Sequence, residues 1–173
     1  MKRKLMVLVI WLATASVAFT QQIDLKALDK LAAKSKNKTE ISMDEATVKS
    51  ALGFLSQDKK DEAAVQRAVK DLKGLYLRVY EFDQKDAFRL DDLKPILDQL
   101  KSPGWTSFLR SQEDGEQVEI WMHRTNGQTD GLLLVSAEAG EVAVINALGM
   151  VRLEDLSMLG KIGSILEGAT RSK

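Results

Sequence analysis

The chain has 173 residues, with 25 basic against 25 acidic side chains, one histidine and no cysteine. Hydrophobic residues make up 45% and charged residues 29%, so a body of this length buries a core without covalent staples. The missing thiols exclude disulfides, thiolate metal sites, cysteine nucleophiles and a lipid-modified N-terminus, and a balanced charge gives no general pull toward nucleic acid or anionic lipid.

The first residues read MKRKLMVLVIWLATASVAFTQQ. A basic start at Lys2-Arg3-Lys4, an apolar run from Leu5 to about Ala13, and then small residues are the three parts of a secretory signal. Ala18 and Thr20 suit the small pockets of a signal peptidase, which puts cleavage near Thr20/Gln21. The apolar run falls short of the ~20 residues of a membrane span, so no stable anchor is expected after cleavage. Loss of residues 1–20 leaves 22 basic against 25 acidic side chains, a net of −3. The expected location is periplasmic or secreted, and an exported domain without disulfides fits a bacterial envelope.

Residues 21–73 read as a helical segment. Ile23, Leu25, Leu28, Leu31 and Ala32 form one stripe at helical spacing. After a polar break from Lys34 to Thr39, Ser42 and Glu45 have the spacing of a capping box, opening a helix that carries Val48, Ala51, Leu52 and Leu55. A second break precedes a helix capped by Asp61, with Ala64, Val65, Ala68, Val69 and Leu72 on its face and Gly74 at its end.

Residues 74–167 form the second unit, and 168–173 a polar tail. From Leu75 the period becomes two: Leu75, Leu77 and Val79 alternate with Tyr76, Arg78 and Tyr80. A helix follows on Leu93, Ile96, Leu97 and Leu100, with Pro95 in its first turn and Ser102-Pro103-Gly104 as its stop. Four strands come next, at about 105–112, 117–124, 130–137 and 141–148. Asp114-Gly115, Asn126-Gly127 and Ala139-Gly140 link them with hairpin turn chemistry, which forces antiparallel neighbours. Leu153, Leu156, Leu159 and Ile162 close the chain with a helix. The expected class is α+β: N-terminal helices, then β-α-β-β-β-β-α, with a curved antiparallel sheet covered by helices on one face. This is the element order of the TATA-binding-protein-like fold, a likeness of order that implies no DNA binding.

Several short stretches together carry a resemblance. They are Tyr80-Glu81-Phe82, Leu93-Lys94-Pro95-Ile96, Lys101-Ser102-Pro103-Gly104-Trp105, His123-Arg124-Thr125 with its Gly127 turn, Ala137-Glu138-Ala139 and Val144-Ile145-Asn146. Over about residues 24–165 the sequence resembles the bacterial exported proteins grouped as domain of unknown function 4252. The resemblance implies an exported domain with no assigned chemistry and supplies no catalytic residues.

The residues themselves supply none either. His123 is the lone histidine, and no Gly-x-Ser-x-Gly pattern accompanies it. The carboxylate pairs Asp44-Glu45, Asp91-Asp92 and Glu113-Asp114 sit at turns or helix starts, where acids cap the backbone. Metal spacing and phosphate loops are missing, so no cofactor is expected. The pattern that does stand out is the second face of the sheet. If Leu75, Leu77, Val118 and Ile120 face the helices, then Tyr76, Arg78, Tyr80, Glu119, Trp121 and His123 share the opposite face. Left open, this mixture of aromatics and charges is a candidate interaction surface; alternatively, an N-terminal helix lies across it. The expected function is a non-enzymatic binding domain for an unknown protein or envelope component, met at the open face or at a sheet edge. The alternatives are an accessory regulator in an envelope-stress or sigma-factor circuit and, less favoured, a hydrolase-type enzyme.

Overall fold

The computed structural model describes residues 21–53, 60–84 and 87–152. The signal segment expected over residues 1–20 and the closing helix expected on Leu153, Leu156, Leu159 and Ile162 lie outside the described residues.

An extended strap from Gln21 leads into a 3-10 turn, Leu25–Leu28, and the short helix α1, Asp29–Ala32. Strand β1 (Asn37–Asp44) precedes α2 (Glu45–Leu52) and α3 (Lys60–Val69). Then come β2 (Leu72–Glu81), a helical stretch made of the 3-10 turn Leu90–Leu93, α4 (Lys94–Leu97) and the 3-10 turn Asp98–Lys101, and the strands β3 (Trp105–Glu113), β4 (Glu116–Thr125), β5 (Gln128–Glu138) and β6 (Glu141–Gly149). The six strands form one antiparallel sheet in the order β1-β2-β6-β5-β4-β3.

The α+β class and the antiparallel sheet match expectation. The turns do as well: Asp114 and Gly115 have φ of 47° and 86°, Asn126 and Gly127 have 51° and 81°, the left-handed pairs that close a two-residue hairpin. Two features differ. First, residues 37–44 are a strand, so the order departs from β-α-β-β-β-β-α. Ile41 and Met43 turn inward while Lys38, Glu40 and Ser42 are exposed, and charge on an outer strand looks like a loop in sequence. The helix cap moves accordingly. Asp44, not Ser42, accepts the N–H of Thr47 at 2.8 Å. Gly74 lies inside β2 instead of ending a helix, since α3 stops at Val69.

Second, helices cover both faces of the sheet, not one. Leu75, Leu77, Ile145, Ala147 and Leu132 pack with Val48 of α2 and with Val65, Ala68 and Val69 of α3. On the other face Tyr80, Val142, Val144, Leu133, Val135 and Ala137 pack under Leu25, Leu28 and Leu31 and under Leu93, Ile96 and Leu100. Each residue type follows from its place. β6, in the middle of both layers, is buried at every position from Val142 to Gly149 except Ala143, and it reads as a near-continuous apolar run.

Candidate functional site

The six side chains singled out by strand parity do share one face. Register shows it: Tyr76 pairs Asn146, Arg78 pairs Val144, Tyr80 pairs Val142, while Glu119, Trp121 and His123 pair Val135, Leu133 and Gly131. The face is largely covered, however. Tyr80 is 1% exposed, Glu119 and His123 are 3% exposed, and Tyr76, Arg78 and Trp121 are half-buried. The strap, α1 and the 90–101 helical stretch lie across them, so of the two alternatives, an open face or one crossed by the N-terminal segment, the fold matches the second. The reason is that α4 sits on the same face as Tyr80, where parity reasoning had set it on the opposite one.

The covering strap is fastened by polar ties that the sheet provides. Asn146, fully buried in β6, accepts the N–H of Ile23 through Oδ1 at 3.0 Å and donates from Nδ2 to the carbonyls of Gln21 and Leu132 at 3.3 and 3.1 Å. All its polar capacity but one lone pair is used, which is how a buried amide avoids a desolvation penalty. Gln99 makes a reciprocal pair with Asp24, accepting its N–H at 2.8 Å and donating to its carbonyl at 3.2 Å. Gln21 donates through Nε2 to Asp130 Oδ2 at 2.7 Å.

Asp130 also holds the histidine. His123 Nδ1 lies 2.7 Å from Asp130 Oδ1, and Trp105 meets the imidazole edge-on with centroids 5.3 Å apart. Gly104, at φ +96°, fits against the ring so closely that a Cβ there would come 2.3 Å from His123 Nε2. The histidine is enclosed by protein.

Glu119 forms a second buried cluster on β4. It accepts from Gln117 Nε2 at 2.7 Å and from the Trp121 indole N–H, and Arg110 Nε of β3 lies 3.2 Å from its Oε1. The Arg110 guanidinium also rests over the Trp121 ring, 5.3 Å from the centroid. Charge and ring contacts thus tie the edge strand β3 to its neighbour.

At the β1 end, Tyr76, Arg78 and Ser42 line an open groove of about 530 Å³ beside strap residues Gln22 to Lys26. Arg78 is held in place by the carbonyls of Ile41 and Leu77 at 3.0 and 2.8 Å and by Ser42 Oγ at 3.1 Å, with Glu40 3.7 Å away. Tyr80, deeper on the same face, has its phenol pushed to higher pKa by burial and then by Glu40.

Sequence reasoning missed Gln117, Asp130, Asn146 and Arg110. For Asn146 the signal was present, a polar residue inside the near-continuous apolar run of β6, whereas Asp130 falls at a register shift that parity does not anticipate. Among the described residues no group of His, Cys, Asp or Glu is arranged to hold a metal ion, and no helix is long and apolar enough to cross a membrane.

One edge of the sheet is exposed along its length. β3 is the outermost strand next to β4, and every residue from Thr106 to Glu113 is exposed. Phe108 is 50% and Leu109 41% exposed, adjacent in sequence across a register shift between Ser107 and Leu109.

A family model described as "Domain of unknown function (DUF4252)" matches residues 28–159. No curated protein matches the sequence. A solved structure, the extracellular domain of PknH from Mycobacterium tuberculosis, is similar over 84% of this chain and 92% of that one, at 11% identity and a TM-score of 0.34.

Proposed function

Because the chain belongs to the DUF4252 family, whose description assigns no activity, we propose from its own geometry that it is an exported, non-enzymatic interaction domain that receives an extended segment of a partner along the outer edge of β3. The exposed run from Thr106 to Glu113, with Phe108 and Leu109 at its centre, carries this reading. An outer strand offers unpaired main-chain N–H and C=O groups, and soluble proteins guard such edges with charge. β1, the other outer strand, carries Lys38, Glu40 and Asp44; β3 carries Arg110, drawn toward Glu119, and Glu113 at its far end, and leaves Phe108 and Leu109 exposed with neutral neighbours on their N-terminal side. Strand addition at β3 satisfies the edge and covers the two apolar side chains together. The basic, apolar and small-residue layout of residues 1–20 supports a meeting in the periplasm or outside the cell, after cleavage near Thr20/Gln21.

The chain has no cysteine, so Ser111→Cys accepts a single photo-cross-linker. The expected result is a discrete cross-linked partner in an envelope extract. It disappears when Phe108→Asp and Leu109→Asp are added and the circular dichroism spectrum is unchanged. A cross-link that survives both substitutions, or none at all, rejects the β3 edge.

A further inference from the structure

We infer that the sheet protects the side-chain amide of Gln21 from loss as ammonia once Gln21 is the first residue of the exported chain. This rests on the reading that cleavage falls between Thr20 and Gln21.

A glutamine with a free α-amine attacks itself. The amine nitrogen adds to Cδ, the new C–N bond closes a five-membered lactam, and the Cδ–Nε2 bond breaks. Nε2 leaves as ammonia with a proton given up by the amine. The balance needs no oxidant and no second reactant, so any such terminus is exposed to it.

Three features of the fold oppose the reaction. Gln21 Nε2 is the atom that must leave, and it donates to Asp130 Oδ2 at 2.7 Å. Asp130 is itself fixed on its other oxygen by His123, which is enclosed by Gly104 and Trp105. The carbonyl of Gln21 is held by Asn146 Nδ2, and the next tie, Ile23 N–H to Asn146 Oδ1, follows two residues on. Main chain and side-chain end are thus anchored at separate points of the sheet, on β6 and β5. Ring closure must bring Cδ back to the residue's own nitrogen and give up the bond to Asp130. The product has lost its donor for that carboxylate permanently, so the folded state disfavours the product as well as the path to it.

Intact-mass spectrometry of the purified exported protein, incubated at fixed pH and temperature, tests this. The native protein is expected to start at Gln21 and to lose one ammonia at least about tenfold more slowly than the same protein unfolded in urea, the ratio that follows from one charge-assisted hydrogen bond. Asp130→Ala, with its fold checked by circular dichroism, is expected to speed the loss about tenfold. Equal rates in native and unfolded protein overturn the inference, as does an unchanged rate in the variant. Should the variant not fold, the native-to-unfolded ratio decides alone. A chain that starts at Gln21 but arrives already cyclised overturns the inference and leaves the cleavage reading standing; a mass that starts elsewhere overturns both.

Discussion

Asn146 Oδ1 accepts the main-chain N–H of Ile23 at 3.0 Å, joining the middle strand of the sheet to a residue 123 positions away in the chain. An amide side chain in a strand of valines, isoleucine and alanines has no packing reason to be there. Its reason is the strap: it supplies both a donor and an acceptor to a segment that would otherwise bury main-chain groups unpaired.

Asn146→Ala therefore leaves the Ile23 N–H and the carbonyls of Gln21 and Leu132 short of partners. A loss of about 1–3 kcal/mol is expected from each buried group left unsatisfied, with the total limited by how far the strap peels away. Urea denaturation gives the total. Amide exchange resolves the site: Ile23 should lose protection while β6 keeps its own. Unchanged exchange at Ile23 contradicts the clamp.

Trp121→Ala tests the covered face. The indole packs against the cluster of Tyr80 and Leu133, and its N–H serves Glu119. Truncation should cost about 3 kcal/mol, the scale of a large aromatic removed from a core. An exposed recognition residue would cost almost nothing, so a midpoint equal to wild type would reopen the face.

On the 90–101 stretch the apolar residues named from sequence are not buried alike. Ile96 is fully buried and Leu97 only half-buried. Ile96→Ala should destabilise by about 2–5 kcal/mol and Leu97→Ala by clearly less. Chemical denaturation of the two variants side by side decides it, and the reverse order would mean that the helix is rotated about its axis.

Gly104→Ala sets a methyl against the His123 ring at a φ of +96° that alanine rarely adopts. Both faults act together, and a loss of about 1–3 kcal/mol is expected from the crowding alone. A thermal melt checks it. An unaffected Tm would show that the 102–104 turn moves aside freely.

Three glutamates meet at one end of the sheet, Glu141 standing opposite both Glu81 and Glu138 in neighbouring strands. The Glu141 carboxyl is pushed up by burial first and then by Glu138 and Glu81. Its folded pKa lies above the unfolded value, so the native state keeps a proton that the unfolded chain has released. Stability therefore falls as pH rises through that window, and the penalty is complete at neutral pH. Glu141→Gln is expected to gain about 0.2–1 kcal/mol at neutral pH, the scale of one unfavourable cross-strand pair. The gain should vanish near pH 3.5, below the ordinary glutamate value of about 4.3. Urea titrations at both pH values test it; a gain that persists in acid has another origin.

The β3–β6 meander was legible because its punctuation is local. Asp114-Gly115 and Asn126-Gly127 dictate left-handed turns, and alternation then assigns each side chain to a face. Parity placed Tyr76, Tyr80 and Trp121 together correctly. It had no means of saying which layer lies over them, because that depends on Asn146 reaching Ile23 and Gln99 reaching Asp24, contacts between distant segments that leave no period in the sequence. β1 escaped for a related reason. An outer strand is stabilised by its one neighbour and guarded by charge, so its two inward residues, Ile41 and Met43, are too few to mark a period. Of the six site residues proposed from sequence, their shared face was readable and their exposure was not.

The strand order has a consequence in time. β3 to β6 are successive hairpins, each formed by a short turn, but β2 pairs with β6, the last strand among the described residues. A chain synthesised from its N-terminus carries β1 and β2 as a lone two-stranded ribbon, with Leu75, Leu77 and Tyr80 lacking their sheet neighbours, until Glu141–Gly149 has emerged. Such a ribbon is marginal in water. Refolding should therefore begin in the local meander and end with β2 closing the longest loop in the sheet, and that final closure sets the rate.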